Sequence, residues 1–271
     1  MSAPGQMGTP GGAAQLRVER VTKAFGGVTA IDDVTFDVRS GLVQAIIGPN
    51  GAGKTTLVNL LSGVYRPTRG RILLGSRDLT RAPAHAFGTA GIARTFQTPQ
   101  VFANMTVVEN VMTGRHRLER TRLWSTLVHA PSLSRAERAS RERARELLRM
   151  LGLSAFADAS PATLSYGAQK RLEIARALAA EPALLLLDEP AAGLNASEAR
   201  EIEHVIRDLA DRGIAIVLVE HDMRLVMDVS DHILVLDYGK RLCEGTAQEV
   251  RSDPRVIEAY LGVDGEHARD H

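Results

Sequence analysis

Apolar residues recur along this chain with two different periods, and the change from one to the other marks its organisation. Between Leu16 and Thr80 they alternate with polar ones, as in Val34, Phe36 and Val38, the pattern of an antiparallel sheet with one wet face. Strands are expected over Leu16 to Phe25, Thr29 to Arg39, Val43 to Ile47 and Arg71 to Leu74, turned at Gly26-Gly27, Ser40-Gly41 and Gly75-Ser76. After Ile47 the period lengthens. Gly53 to Leu61 carries apolar residues at helical spacing and Gly63 ends the run, so the local order is strand, glycine loop, helix.

From Gln97 to Pro161 the pattern is helical and strongly charged. The stretch SRAERASRERARELLRMLGL puts Leu147, Leu148 and Leu151 on one face, and Pro131 and Pro161 bracket an expected inserted helical subdomain over about residues 98–161. A helix is then expected from Tyr166 to about Ala180. The strand LLLLDEP, a helix from Ser197 to Arg212, the strand IAIVLVE, a helix near Met223 to Val229 and the strand ILVL follow. Apolar strands alternating with amphipathic helices build a parallel sheet covered on both faces. The fold class is therefore α/β, with an antiparallel edge sheet and a helical insertion.

Composition narrows the classes of function. A chain of 271 residues, 44% hydrophobic and 24% charged, buries a full core, and a net charge of +1 gives no argument for nucleic acid or an anionic surface. Cys243 is the single cysteine, which excludes an intramolecular disulfide and a cysteine-based zinc site and suits a reducing compartment. The longest apolar runs, Ala183 to Leu187 and Ile214 to Val219, fall well short of the roughly 18 residues of a membrane helix. If the protein serves a membrane process, another chain does the spanning.

Two motifs carry chemistry on their residues alone. Gly48, Pro49, Asn50, Gly51, Ala52, Gly53, Lys54, Thr55 and Thr56 satisfy G-x-x-x-x-G-K-[ST] between an apolar strand and a helix. In that setting backbone amides turn onto phosphate oxygens, Lys54 adds a point charge and Thr55 offers a hydroxyl to Mg²⁺. The bland alternative is an ordinary glycine turn before a helix. Asp188 and Glu189 leave the strand Leu184 to Leu187, where one carboxylate suits the metal and the second a water attacking the γ-phosphate. Without the loop, a buried strand with an acidic exit explains them equally well.

A third stretch makes the comparison specific. Leu164-Ser165-Tyr166-Gly167-Ala168-Gln169 resembles the LSGGQ signature of ATP-binding cassette (ABC) proteins, with Tyr166 at the first glycine and Ala168 where Gln or Glu is common. In that family the signature helix of one chain faces the γ-phosphate held by the other chain's loop, so two chains sandwich two ATP molecules. The resemblance implies that Ser165, Gly167 and Gln169 complete a partner's ATP site. It also makes Gln97 the glutamine that meets Mg²⁺ and water, His221 the switch histidine on the γ-phosphate, and Phe25 the ring that stacks on adenine. Ala192-Gly193-Leu194-Asn195 matches the D-loop, with Asn195 where Asp is commoner. For Phe25 the rival role is a core residue at a strand end.

The resemblance spans Leu16 to Gly262, leaving residues 1–15 and 263–271 as tails, the first expected to be disordered. ARTFQ, MTVVENV, LSYG, DEPAAGLN, VEHDM, DPRVIEAYLG and the insert LWSTLVHAPSLSRAERA are similar to ATPase subunits of branched-chain amino-acid importers. ATPases of urea uptake and of lipopolysaccharide export share part of these phrases. That resemblance implies ATP and Mg²⁺ as cofactors, a second ATPase subunit in a head-to-tail dimer, transmembrane permease subunits at the cytoplasmic face of the inner membrane, and a solute-binding protein reached indirectly. Soluble ABC ATPases acting on DNA or ribosomes fit less well, because only short helices separate Gly48 from Ser165 and one cassette is present. A nucleotide-binding regulator without turnover is disfavoured by the joint presence of Glu189 and His221.

Overall fold

The computed structural model describes residues 14–115 and 130–267. Its strands are β1 (Ala14–Phe25), β2 (Val28–Arg39), β3 (Val43–Ile47), β4 (Arg69–Leu74), β5 (Arg77–Asp78), β6 (Ile92–Arg94), β7 (Leu184–Asp188), β8 (Ala215–Val219), β9 (His232–Asp237) and β10 (Lys240–Gly245). Its α-helices are α1 (Lys54–Leu61), α2 (Ala84–Ala90), α3 (Val107–Thr113), α4 (Ala130–Met150), α5 (Tyr166–Leu178), α6 (Ala196–Asp211), α7 (Met223–Val229), α8 (Ala247–Ser252) and α9 (Pro254–His267).

The strands form a four-stranded sheet, β2-β1-β4-β5, and a six-stranded sheet, β10-β9-β3-β8-β7-β6. The first is antiparallel throughout. In β2 the buried residues Val34, Phe36 and Val38 alternate with exposed Thr35 and Asp37, as the pattern requires. The alternation slips between Ile31 and Val34, because β1 and β2 shift register there and Asp33 takes a φ of 53°.

In the larger sheet β6, β7, β8, β3 and β9 run parallel and β10 closes one edge antiparallel. Both faces are covered, so successive residues enter different cores. Leu185 and Leu187 with Ile216 and Leu218 face the helical side beneath α3, α4, α5 and α6. Leu184 and Leu186 with Val217 and Val219 face α1 and the antiparallel sheet. Ala144, Leu147 and Leu148 of α4, with Leu151 just past its end, are each at most 3% exposed, the stripe that the charged sequence around them announces.

One strand pairing differs from expectation. Val43 to Ile47, grouped with the antiparallel strands on their spacing, pairs with β8 and β9 at the centre of the parallel sheet. All five of its residues are buried, and a strand buried on both faces has no alternation to read. The helix α9 runs to His267. The segments β6, α2 and β10 are too short or too polar to stand out by period. Residues 1–13 of the expected N-terminal tail, residues 116–129, which take in the first part of the insert LWSTLVHAPSLSRAERA, and residues 268–271 lie outside the described residues.

Candidate functional site

Parallel strands point their carboxyl ends the same way, and ligands of open α/β sheets bind beyond those ends. Here β3 ends in the loop at Gly48, β7 in Asp188 and Glu189, β8 in Glu220 and His221, and β6 in the segment carrying Gln97. Residues far apart in the chain are thereby gathered on one edge of one sheet.

Glycine is required in the loop for two separate reasons. Gly48 and Gly53 have φ of 153° and 100°, the latter a left-handed conformation that L side chains avoid. A Cβ on Gly48 would stand 2.2 Å from the Leu236 carbonyl oxygen, and one on Gly53 would stand 2.7 Å from that of Ala30. Gly51, at φ 82°, and the Ala52 amide, which donates to Pro49 O at 3.2 Å, complete the turn. Gly53 is the N-cap of α1 and has no side chain to cap it, so the first-turn amides of Lys54, Thr55 and Thr56 are available to an anion. Lys54 Nζ donates to the carbonyls of Gly48 at 2.6 Å and Pro49 at 2.9 Å, laying its charge across the loop. Burial lowers its pKa while Glu189 pushes back up.

Asp188 and Glu189 have different surroundings. Asp188 Oδ2 accepts from Arg94 Nη2 at 2.8 Å, both side chains being at most 15% exposed. Arg94 also reaches Asn59 Oδ1 and Ser62 Oγ at the far end of α1, at 2.7 and 3.0 Å. Glu189 takes a φ of 47°, a conformation that costs about 1–3 kcal/mol in a non-glycine residue. Its amide donates to Val219 O at 2.8 Å, and its Oε2 accepts from Gln97 Nε2 at 2.6 Å. His221 Nδ1 is 3.7 Å from the same oxygen. Glu220, 1% exposed, fixes the backbone around this group. One of its oxygens accepts the Ala191 amide at 2.8 Å, and the other those of His221 and Asp222 at 3.0 and 3.4 Å.

The residues of the LSYGAQ stretch lie apart from this cluster. Ser165 caps α5 by accepting the Ala168 amide at 3.2 Å, and its hydroxyl donates to Glu198 Oε1 at 3.1 Å. Glu198 also bonds Asn195, the N-cap of α6, so the signature and the D-loop share one carboxylate. A Cβ on Gly167 would sit 2.7 Å from Glu198. Tyr166 lies over Gly193, and Gln169 Nε2 turns back to Leu164 O at 3.2 Å. Among the described residues no hydrogen bond or ion pair joins Ser165, Gly167 or Gln169 to the loop Gly48 to Thr56.

Phe25 is 41% exposed at the tip of the β1-β2 hairpin, edge-on to Tyr65 at 5.1 Å. Such exposure does not suit a core residue. The same hairpin carries Ala30 and Ile31, which press on Gly53.

Four contributors escape a motif reading. Arg94 and Glu220 hold Asp188 and the loop after β8, and Lys170 lies buried at 2% exposure beneath Gln97 and Glu189. Tyr260 on α9 has its pKa pushed up to about 12 by burial, opposed by a hydrogen bond with the backbone of Gly48. Only Glu220 left a sequence signal, a carboxylate directly after an all-apolar strand.

The family profile described as ABC transporter matches residues 31–192, more than half of the chain. This chain belongs to the ABC transporter family. It is accordingly an ATPase that binds and hydrolyses ATP. A second profile, described as branched-chain amino acid ATP-binding cassette transporter, matches residues 240–266, the region of β10, α8 and α9.

The chain is similar to the high-affinity branched-chain amino acid transport ATP-binding protein BraF of Pseudomonas aeruginosa. The two are 43% identical over 248 residues, covering 91% of this chain and 97% of that one. It is 42% identical to LivG of Escherichia coli, with the same coverage. A solved ABC transporter cassette in its ADP conformation superposes with a TM-score of 0.80 at 34% identity, covering 93% of this ABC ATPase and all of that chain. A dimeric cassette bound to ADP and Pi matches with a TM-score of 0.69 at 26% identity, over 86% and 98% of the two chains.

Proposed function

We propose that this ATPase energises the import of branched-chain amino acids, as one of two cassettes bound at the cytoplasmic face of the inner membrane to permease subunits. A solute-binding protein on the other side would deliver the solute, which never touches this chain. The match of residues 240–266 to the branched-chain profile carries the choice of solute class. The names of the relatives agree with it.

In the reaction proposed, Glu189 accepts the proton of the attacking water, Gln97 and His221 orient that water and the γ-phosphate, and Lys54 with the first-turn amides of α1 bears the phosphate charge. Phe25 stacks on the base. The bond from Gln97 Nε2 to Glu189 leaves the glutamine carbonyl as an oxygen donor. Together with the Thr55 hydroxyl and the Asp188 carboxylate it makes a hard-oxygen set of the kind that suits Mg²⁺ beside phosphates. When bound, the metal would neutralise charge on the transferring phosphoryl group.

The second half of each site would come from another cassette. Among the described residues Ser165, Gly167 and Gln169 make no bond to the loop of their own chain, and a similar cassette is solved as a dimer bound to ADP and Pi, which supports their supplying the site of a second cassette. Exposed Phe102, with Val101 and Arg176, lines a groove of about 420 Å³ beside the Gln97 segment, a mixed apolar and charged seat for a permease loop. Residues 16–262 are taken as the cassette and 98–161 as its helical part.

Reconstitution in vesicles with the permeases and binding protein encoded beside it tests this reading. ATP-driven uptake of leucine, isoleucine or valine is expected. Uptake of urea alone, or absence of the protein from membranes when its partners are co-expressed, would sink the proposal.

A further inference from the structure

After β6 ends at Arg94, the chain leaves the sheet with one last bond, Thr95 N to Leu186 O at 3.0 Å. The segment that follows, with Gln97 in it, is held by three charged side chains of α5 instead. Lys170, Glu173 and Arg176 are spaced three apart and share one helix face. Lys170 Nζ donates to Gln97 O, Glu173 Oε1 accepts the Phe96 amide at 3.1 Å, and Arg176 Nη1 donates to Gln100 O. Each grips the main chain, so the grip does not depend on the side chains of the segment.

Lys170 does more than its two neighbours. The same ammonium donates to Glu189 O at 3.0 Å, so carbonyls from two strand ends converge on one cation. Burying an ammonium is costly unless it is hydrogen-bonded, and this one, on a residue 2% exposed, donates to two carbonyls. Burial draws its pKa down, while Glu173, Glu220, Glu189 and Asp188 push it back. Glu189 stands in a strained conformation that persists only where its surroundings fix both ends of the residue. Val219 fixes the amide end and Lys170 the carbonyl end. The helix that bears Lys170 is capped by Ser165.

We propose that Lys170 is a positioning residue for ATP hydrolysis: it pins the main chain at Gln97 and Glu189 to the signature helix, and so sets the pair that handles the attacking water. The proposal rests on the assignment of Glu189 as base and Gln97 as its partner. It implies that the seating of α5, whose first turn is proposed to meet a second cassette's nucleotide, governs the hydrolytic geometry of its own chain.

The test uses the full chain with Lys170→Met, Lys170→Arg and Glu189→Gln, singly and with K170M added to E189Q. K170M is expected to lower kcat at least ~10-fold with KM for ATP changed less than ~3-fold, and K170R to recover most of the loss. In the E189Q background K170M should slow turnover no further than about twofold, because the group it positions is already gone. Near-normal kcat in K170M beside a slow E189Q overturns the role of Lys170 alone, as do losses that multiply in the double variant. Near-normal turnover in E189Q overturns the base itself. Should K170M fail to fold, Lys170→Gln, which keeps an N–H donor on a shorter stem, carries the same comparison.

Discussion

Gln97 Nε2 and Glu189 Oε2 meet at 2.6 Å, although one leaves the edge strand β6 and the other leaves β7 beside it. The contact separates the two adjacent carboxylates and supports the proposal that Glu189, rather than Asp188, handles the attacking water. Asp188 is already satisfied by Arg94, whereas Glu189 is aimed by an amide and lies within reach of His221.

Replacing Glu189 with Gln keeps the shape and removes the proton acceptor. Turnover should fall on the order of a hundredfold or more with ATP binding retained. ATP-dependent dimers should then persist on gel filtration, and turnover within a few-fold of the parent protein would refute the assignment.

Lys54→Ala removes the charge that lies across the loop. Nucleotide affinity should fall by about tenfold or more, since charge-assisted contacts to phosphate are among the stronger ones. Titration with a fluorescent ATP analogue reads this directly, and unchanged affinity would count against the loop as a phosphate site.

Gly48→Ala places a methyl group 2.2 Å from the carbonyl of Leu236. Backbone cannot yield as a flexible side chain can, so the variant should lose roughly 1–3 kcal/mol of stability. A urea midpoint unchanged from the parent would show that the loop gives way freely.

Tyr260 predicts a pH effect with a definite sign. Its pKa is raised by burial to about 12 from an ordinary value of 10.0, so the unfolded chain releases this proton first. The residue's contribution is full below the unfolded value and is lost as pH rises through the folded one. The parent should therefore lose stability more steeply than Tyr260→Phe between about pH 10 and 12, seen in urea midpoints. Parallel curves would contradict the burial of the hydroxyl.

Local chemistry made much of this site readable in the sequence. The loop Gly48 to Thr56 carries its own geometry, because its glycines are needed by the backbone itself, and Leu184 to Leu187 must be buried wherever it lies. What stayed hidden depends on long-range contact. Lys170 and Arg94 look like surface cations on a helix and a strand until the sheet order puts them beside Gln97, Glu189 and Asp188. Val43 to Ile47 was grouped with its sequence neighbours because nothing local records that its partners, β8 and β9, come so much later.

That last pairing bears on how the protein is made. The loop Gly48 to Thr56 leaves the ribosome early, but the strand that ends in it is central, and its two neighbours begin at Ala215 and His232. Until they emerge, Val43 to Ile47 has no edge to join. Chains fold from their N-terminal side during synthesis at about 5–20 residues per second, so for some ten seconds or more the nascent loop waits without its sheet. Competence to bind ATP is therefore acquired only when nearly the whole chain has been made.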